Sequence, residues 1–313
     1  MRSTTEPEQA WAASRGWRGL GASATGDSAV LARTDERKPP LRAPELSRLP
    51  GGPAAAGAVV ALAMDSRRRV ELEGCWNFRD IGGYPTRGGH SVRWGRLFRS
   101  DGLQDLTPGD LDRLRALGIA TVVDLRTSRE REYFGSFPGD RIGAEYHHIP
   151  LVELPPSAPS YRLIAESGSL VERYRKLLDV GGRRLVAVIE LLAGKHSQPA
   201  VFHCTAGKDR TGLVAAMFLA LLDVPETFTL VDYALSKPGA ARLRQAFARG
   251  NRPFARAMAA HPSMSEVDPS ALAILLNDLR AEHGSASAYL HGLGLSEADL
   301  LSLRSSMLEP ADS

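Results

Sequence analysis

Residues 201–212 read Val201-Phe202-His203-Cys204-Thr205-Ala206-Gly207-Lys208-Asp209-Arg210-Thr211-Gly212. An apolar run, 199–202, leads into this stretch, and a segment with helical spacing of apolar residues, 211–222, leads out. The pattern predicts a buried strand, a short loop and a helix, with Cys204 and Arg210 at the two ends of the loop. Such a loop can hold a phosphate group between a strand and a helix.

The backbone N–H groups of this loop and the positive end of the following helix are expected to converge on one anion. The same field favours the thiolate form of Cys204, which is the nucleophilic form of a cysteine. The planar guanidinium of Arg210 can bind two phosphate oxygens at once. A buried, inert cysteine near a turn is the alternative, and the glycine within the loop and the hydroxyl directly after the arginine argue against it.

Residues His203 to Gly212 resemble the signature of the cysteine-dependent protein tyrosine phosphatases. The Lys-Asp pair before the arginine is similar to the bacterial and fungal branch known as atypical, or lipid-phosphatase-like, tyrosine phosphatases. A second stretch, Asn77 to Tyr84, resembles the opening motif of the same branch. The resemblance covers the chain from residue 70 to 305 in organisation. It implies hydrolysis of phosphate monoesters through a cysteinyl-phosphate intermediate, with Cys204 as nucleophile and Arg210 as phosphate ligand.

The leaving group needs a proton donor, and the Trp-Pro-Asp loop of better-known tyrosine phosphatases has no counterpart in this sequence. The resemblance to the atypical branch assigns the role to Asp209. Asp124 is the alternative, because it ends a predicted central strand, where the catalytic groups of α/β sheets are often placed. The charge of Arg210 beside Asp209 favours the carboxylate and so opposes the acid role. A third interpretation is that Asp209 only pairs with Lys208 or Arg210.

The predicted substrate-binding residues of the loop are Thr205, Ala206, Gly207, Lys208 and Thr211. Lys208 adds a second cation at the mouth of the loop, where it would bind a second phosphate or serve as a structural lysine. His203 is expected to order the loop, and Thr211 to hydrogen-bond to the cysteine sulfur. Cys75 is expected to be a small buried apolar residue, and a protective disulfide with Cys204 is the alternative.

Segments elsewhere in the chain predict the elements around this loop. The predicted helices and strands are a hairpin or strand around Ser91–Arg99, a helix from Thr107 to Gly118, strands Ile119–Leu125 and Tyr146–Leu151, helices Leu170–Val180 and Arg184–Leu192 separated by Gly181-Gly182, and helices throughout beyond Pro225. Their order predicts an α/β fold: a central, mostly parallel sheet flanked by helices, tyrosine-phosphatase-like, with a helical C-terminal part. We expect Arg79, Asp80 and Arg99 to fix loops by hydrogen bonding, and 161–180 or 239–260 to form a lid.

The composition limits the classes of protein to which the chain can belong. Of its 313 residues, 43% are hydrophobic and 24% charged, as is typical of a soluble globular protein. Only two cysteines are present, which favours a reducing, cytoplasmic location, although secretion without a signal peptide stays open. The sequence has no apolar run of about 18 residues, so stable membrane insertion is not expected. No metal-ligand cluster is apparent, and we expect neither metal nor cofactor.

Charge divides the chain into two parts. Residues 1–70 carry eleven Arg and Lys against seven Asp and Glu, whereas the remainder has a net charge of −1. The basic pI of about 9.0 therefore belongs to the N-terminal part, and a nucleic-acid partner is not expected. Residues 1–70 lack periodicity and are rich in Ala, Gly, Pro, Ser and Arg, so we predict a disordered basic extension followed by a phosphatase domain at 71–310. Met64 is an alternative start of the polypeptide.

Four functions fit these observations to different degrees. The favoured one is a monomeric phosphatase that acts on protein phosphotyrosine, with phosphoserine and phosphothreonine as further substrates. A phosphoinositide phosphatase is the nearest alternative. A phosphate-binding module without catalysis is less favoured, because both Cys204 and Arg210 are present. A sulfur-transfer or redox enzyme with a similar loop is disfavoured by the arginine, the threonine and the glycine.

Overall fold

The structure is a computed structural model. It describes residues 57, 59–62, 64–153, 167–194, 196–260, 264 and 266–311. Most of the predicted basic extension, 1–56, lies outside the described residues, as does the segment 154–166. Among the described residues, no helix is long and apolar enough to cross a membrane.

Five strands of the described chain form the central sheet, and two more form a small second sheet. In chain order the strands are β1 (Arg79–Asp80), β2 (His90–Val92), β3 (Leu97–Ser100), β4 (Thr121–Asp124), β5 (Glu145–His148), β6 (Ala200–His203) and β7 (Leu308–Pro310). The central sheet has the order β1-β3-β6-β4-β5, and only the edge strand β1 is antiparallel to its neighbour. The predicted mostly parallel sheet is confirmed.

The parallel register brings three strand ends to one edge of the sheet. Ser100 of β3 and Asp124 of β4 both lie opposite His203 at the end of β6. Cys204 follows directly, so the cysteine lies at the carboxyl edge, where ligands bind in open α/β sheets. Strands β4 and β6 are buried throughout, as a continuous apolar run predicts for central strands.

Helices cover both faces of this sheet. They are α1 (Pro108–Ala116), α2 (Ser128–Phe134), α3 (Leu170–Ala193), α4 (Asp209–Leu221), α5 (Glu226–Ala234), α6 (Ser236–Arg249), α7 (Pro253–Ala260), α8 (Pro269–His283), α9 (Ala286–Gly292) and α10 (Glu297–Met307). Val201 packs in a core with α1, and its neighbour Phe202 packs in a larger core with α3, α4 and α8. This alternation of faces is what a strand between two helical layers requires.

The predicted break at Gly181-Gly182 is wrong, because α3 runs without interruption from Leu170 to Ala193. The two glycines allow close packing instead of ending the helix. A Cβ added at Gly181 would lie 2.5 Å from the carbonyl oxygen of Leu151, and one at Gly182 would lie 2.7 Å from a methyl carbon of Leu293. A lid is also predicted over 161–180. Residues 170–180 of that segment belong to α3, whose burial in the core argues against a lid there.

Two further predictions differ from the structure. The hairpin or strand expected around Ser91–Arg99 is two strands, β2 and β3, that belong to different sheets and do not pair with each other. The chain beyond Pro225 is not helical to its end, because β7 pairs with β2 and places Glu309 opposite Ser91. A short terminal strand of this kind depends on its partner far away in the chain, so no local periodicity marks it.

Contacts of the domain begin before the predicted boundary at residue 70. The Arg68 side chain is buried, donates to the carbonyl oxygen of Asp80 and lies 4.0 Å from the centroid of the Tyr84 ring. The aromatic face of Tyr84 and the carbonyl group of Asp80 thus take the place of water around the buried Arg68 cation. The division into 1–70 and 71–310 otherwise stays a prediction.

Candidate active site

The loop that follows β6 has the predicted position between a strand and a helix. Cys204 succeeds the last strand residue, and Asp209 is the first residue of α4. The cysteine is 2% exposed. We call residues 204–208 the Cys204 loop.

Gly207 is required in this loop for two reasons. Its φ is +63°, in the left-handed region that glycine adopts without strain. A Cβ at this position would also lie 2.5 Å from the carbonyl oxygen of Ser100 and 2.6 Å from the backbone nitrogen of Asp101. The end of β3 therefore packs directly against the backbone of the loop, and any side chain at Gly207 would separate them.

The carbonyl groups of the loop are held on its outer side. The Asn77 side-chain amide donates to the carbonyl oxygens of Ala206, at 3.1 Å, and Gly207, at 3.0 Å. Arg99 also donates to the Gly207 oxygen, at 2.9 Å. Since the C=O and N–H of one peptide unit point in opposite directions, these bonds turn the N–H groups of Gly207 and Lys208 away from Asn77 and Arg99. Within the described chain, the N–H groups of 205–207 have no acceptor, so they remain available to an anion.

A buried ionic network supports Asn77 and Arg99 from below. The carboxylate of Asp232, on α5, pairs with both Arg79 and Arg99. Arg79 also donates to the side-chain oxygen of Asn77, which fixes the amide so that its nitrogen faces the loop. Burial alone would raise the pKa of Asp232, but the two arginines lower it to about 2. The expected loop-fixing roles of Arg79 and Arg99 agree with these contacts, whereas the sequence analysis missed Asp232.

Asp80 also fixes loops, as predicted. Its carboxylate accepts from the backbone nitrogens of Gly82, at 2.7 Å, and Gly95, at 2.6 Å. It thereby joins the Gly-rich turn after β1 to the turn before β3.

Arg210 is held by a carboxylate that the sequence analysis missed. Its two terminal nitrogens donate to the two oxygens of Glu130 at 2.6 and 2.7 Å, a bidentate pair. The hydroxyl of Thr205 donates to the same carboxylate at 2.6 Å. Five N–H donors are available on a guanidinium, so three remain for a ligand after this pairing.

Glu130 is itself fixed by the start of α2. Thr127 and Glu130 form a capping box, in which each side chain accepts from the backbone of the other residue. Burial alone would raise the pKa of Glu130, but the charge and hydrogen bonds of Arg210 lower it to about 2. The capping pattern Thr-x-x-Glu after a central strand is the signal that could have pointed to this residue.

Asp124 lies in an ion pair rather than at the reaction site. It is fully buried, pairs with Arg126 at 2.7 Å and accepts from the Tyr146 hydroxyl at 2.7 Å. Burial alone would raise the pKa of Asp124, but the neighbouring His203 and Arg126 hold it well below its usual range. A carboxylate held as an anion in this way is a poor proton donor, so the structure argues against the alternative proposed for Asp124.

His203 lies beneath the Cys204 loop. Its Nδ1 is 3.3 Å from the carbonyl oxygen of Cys204, and its Nε2 is 3.7 Å from Asp124. Burial lowers the pKa of His203 to about 4, so the imidazole is neutral at physiological pH. These contacts fit the expected ordering role rather than proton transfer.

Asp209 is the carboxyl group that remains accessible. Its side chain is 25% exposed. One oxygen, Oδ1, accepts from the Tyr174 hydroxyl at 2.8 Å, and the other, Oδ2, lies 3.4 Å from the ammonium of Lys208. Asp209 pairs with Lys208 as one interpretation expected, and it still has access to solvent.

Lys208 does not lie at the mouth of the loop as predicted. Its side chain is fully buried, and its ammonium donates to the backbone carbonyl of Glu266 at 2.7 Å. The position before α4 turns the side chain toward the protein interior, where a lysine needs such partners. The contacts therefore fit the structural alternative.

The remaining predicted residues divide between contacts with the protein and open positions. The Thr205 hydroxyl is occupied by Glu130, so only its N–H faces the loop interior. Among the described residues, the buried Thr211 hydroxyl has no hydrogen-bond partner. Cys75 is a free, buried thiol that accepts from the Ser100 hydroxyl at 3.6 Å, and burial raises its pKa well above the usual value. This environment fits the expected small apolar role of Cys75.

The α6–α7 hairpin covers one side of the Cys204 loop. Ala206 of the loop packs against Leu243 of α6 and Met264, with further contacts from Phe247 and Met258. Phe247 also stacks on Phe134 of α2, with ring centroids 5.1 Å apart. The hairpin thus occupies the position expected of a lid over 239–260, and its aromatic side chains face the protein. Within the described residues, no group of three or more His, Cys, Asp or Glu is placed to hold a metal ion.

Comparisons with known proteins agree on one family. A profile of the tyrosine phosphatase family matches residues 70–309. The triple specificity protein phosphatase PtpB of Mycobacterium tuberculosis is 31% identical over 281 residues, covering 76% of this chain and 98% of that protein. A Cupriavidus necator protein assigned by name to the tyrosine-protein phosphatases is 31% identical over 256 residues, covering 79% of this chain and 91% of its own length.

A search of solved structures finds a P. aeruginosa TpbA complex with pTyr. It is 17% identical, with 70% of this chain and 89% of that chain covered. The TM-score of 0.25 is too low for the superposition to add to the argument.

The pKa of Glu130 predicts how acid affects stability. Because the folded value of about 2 lies below the ordinary value of 4.5, the stabilisation is present above pH 4.5 and is lost as pH falls toward 2. Glu130→Gln should lower the free energy of unfolding at neutral pH and flatten its fall between about pH 5 and pH 2. Urea unfolding across that range measures both effects. Glu132→Gln, at an exposed position of the same helix, is the control, and equal slopes for wild type and Glu130→Gln would contradict the assignment.

Proposed function

The chain belongs to the tyrosine phosphatase family and is a phosphoric monoester hydrolase, and from this premise we propose that it hydrolyses protein phosphotyrosine through a phosphorylated Cys204. One observation carries the proposal: Cys204, the N–H groups of 205–207 that have no acceptor within the described chain, and Arg210 in the first turn of α4 follow one another at the carboxyl edge of the sheet, where we propose that they enclose one position. We call this position the phosphate site. A phosphate there would meet a nucleophile and its charge-stabilising groups together.

In the first step the Cys204 thiolate attacks phosphorus in line with the ester oxygen. A phosphorus–sulfur bond forms while the phosphorus–oxygen bond to the tyrosine breaks. The N–H groups of the loop and the three remaining donors of Arg210 would bind the other phosphate oxygens. Glu130 holds the guanidinium in place before substrate arrives, so little reorganisation is needed as the charge moves in the transition state.

Asp209 is the group that we propose protonates the leaving oxygen. It adjoins the Cys204 loop and is accessible, whereas Asp124 is buried in an ion pair. In the second step the same carboxylate would accept a proton from water as water attacks phosphorus and the sulfur leaves. The unpartnered hydroxyl of Thr211 is a donor that could stabilise the departing thiolate.

Substrate choice is proposed from the family and the surface around the site. The relatives are named as phosphatases of tyrosine-phosphorylated or several kinds of substrate, which supports phosphotyrosine first and phosphoserine and phosphothreonine next. The α6–α7 region, 236–260, carries six basic residues and no acidic residue, which favours acidic substrates and keeps a phosphoinositide as the alternative. Lys208 is buried, which argues against the binding of a second phosphate at that residue.

We also propose a cytoplasmic monomer, as the sequence predicts. Support for the location comes from the free thiols of Cys75 and Cys204, since a reducing compartment keeps cysteines unpaired. The monomeric state rests on the sequence-based expectation alone.

The proposed reaction predicts a specific pattern of activity. The wild-type enzyme should release phosphate from a phosphotyrosine peptide faster than from a short-chain phosphoinositide, and a chelator should leave the rate unchanged. Cys204→Ser should abolish release from both substrates, whereas Cys75→Ala should retain activity because Cys75 lies outside the phosphate site. Malachite-green phosphate detection measures the rate in each case. Activity that survives Cys204→Ser, or that a chelator removes, would refute the mechanism.

The acid role of Asp209 predicts a dependence on the leaving group. Asp209→Asn should slow hydrolysis of phenyl phosphate roughly 100-fold, because phenoxide needs a proton as it leaves, and p-nitrophenyl phosphate less than about threefold. Steady-state kinetics of both esters test this difference. The control is Asp112→Asn, at an exposed position of α1. Equal losses on both esters would show that Asp209 does not donate the proton.

A further inference from the structure

A buried chain of two tyrosine hydroxyls ends on Asp209. The Tyr174 hydroxyl donates to Oδ1 of Asp209 at 2.8 Å and is also hydrogen-bonded to the Tyr233 hydroxyl. Tyr174 has no exposed surface, and Tyr233 is 1% exposed. Because both tyrosines are buried, the accessible end of this hydrogen-bonded chain is the Asp209 carboxyl group beside the Cys204 loop.

Three helices fix the geometry of this chain. Tyr174 belongs to α3 and Tyr233 to α5, and their rings meet edge to face with centroids 6.3 Å apart. The Tyr233 ring also lies against α4, because a Cβ added at Gly212 would be 3.0 Å from its Cδ2 atom. Helix α4, which carries Asp209, is therefore packed against the ring of Tyr233, whose hydroxyl is hydrogen-bonded to that of Tyr174.

Both hydroxyls stay protonated and act as donors or acceptors rather than as acids. Burial raises the pKa of Tyr174 well above its usual value, and the charge of Asp209 raises it further. The same two causes raise the pKa of Tyr233. Neither tyrosine can supply the proton for the leaving group at physiological pH.

The two oxygens of Asp209 consequently have different tasks. Oδ1 is occupied by the Tyr174 hydroxyl, and an oxygen that accepts such a bond is the carbonyl-type oxygen of a protonated carboxyl group. Oδ2, at 3.4 Å from the Lys208 ammonium, is the oxygen left to carry a proton. The charged groups around the chain are Lys208 and Arg210 beside the carboxyl group, and Arg99 and Asp268 toward Tyr233.

We propose that Tyr174, held in turn by Tyr233, is the positioning residue for Asp209 and reserves its Oδ2 for proton transfer. The inference rests on the proposed acid role of Asp209. Oδ2 would give its proton to the ester oxygen as the phosphorus–oxygen bond breaks, and would take a proton from water as the phosphorus–sulfur bond breaks. Tyr174 donates to Oδ1 in both steps and gains or loses no proton.

Tyr174→Phe tests this role, since it removes one oxygen and keeps the buried ring. Turnover of phenyl phosphate should fall roughly tenfold, and that of p-nitrophenyl phosphate should change less than about twofold. A purely structural tyrosine would lower both rates together, and that result would overturn the proposal.

Further variants separate positioning from folding. Tyr233→Phe should give a smaller change of the same sign, because it leaves the bond between Tyr174 and Asp209 intact. Tyr289→Phe is the matched control: its hydroxyl bonds to the Leu178 carbonyl of α3 at 3.2 Å, remote from Asp209, and both rates should stay unchanged. If Tyr174→Phe melts before assay, Tyr233→Phe carries the test, and equal losses on both esters there refute the proposal.

The double variant Tyr174→Phe with Asp209→Asn distinguishes two failures. If Tyr174 acts through Asp209, the double variant should be no slower on phenyl phosphate than Asp209→Asn alone. Additive losses would refute the positioning role while leaving the acid role of Asp209 intact. If Asp209→Asn itself fails to discriminate between the two esters, the proposed acid role fails, and the inference fails with it.

Discussion

The outward orientation of the Ala206 and Gly207 carbonyls is the constraint on which the site depends. Asn77 holds both groups, Arg99 also holds that of Gly207, and Asp232 pairs with the buried arginine. An uncompensated charge at that depth would cost several kcal/mol, so each member of the network needs the others. Pairing of β1 with β3 in the central sheet places Arg79 opposite Arg99, close to the loop. The proposed phosphate site depends on the N–H groups of that loop.

Two carboxyl groups beside the loop differ in environment and therefore in role. Glu130 is enclosed by Arg210, Thr205 and its own capping box, so it stays an anion and orients the guanidinium. Asp209 retains contact with solvent, and within the described chain its Oδ2 accepts no short hydrogen bond. An enclosed anion suits the permanent binding of a cation, whereas an accessible group can exchange protons during turnover.

The sequence predicts the part of the site that is local in the chain. Cys204 begins the loop and Arg210 follows it in the first turn of α4, and the periodicities on either side mark the strand and the helix, so both could be found from spacing. Glu130 and Asp232 could not, because their arginine partners are 80 and 133 positions away. The burial of Lys208 depends on Glu266, another distant contact that composition does not encode.

The same distinction between local pattern and distant contact applies to the fold. Strands β4 and β6 and the flanking helices follow from apolar patterning, whereas the unbroken α3 and the terminal β7 depend on packing partners that patterning does not show. The middle of α3 needs a glycine at position 181, because the Leu151 backbone lies too close to leave room for a side chain. A glycine that breaks a helix and one that admits a neighbour look the same in a sequence.

Trapping the reaction intermediate shows which residue carries the phosphoryl group during turnover. Wild-type enzyme mixed with a phosphotyrosine peptide and quenched in acid within one turnover can be digested and mapped by mass spectrometry. The proposed mechanism predicts one phosphoryl group on the peptide that contains Cys204, and none on that peptide in Cys204→Ser. A phosphoryl group on another residue, or turnover with no phosphorylated Cys204 at any quench time, would contradict it.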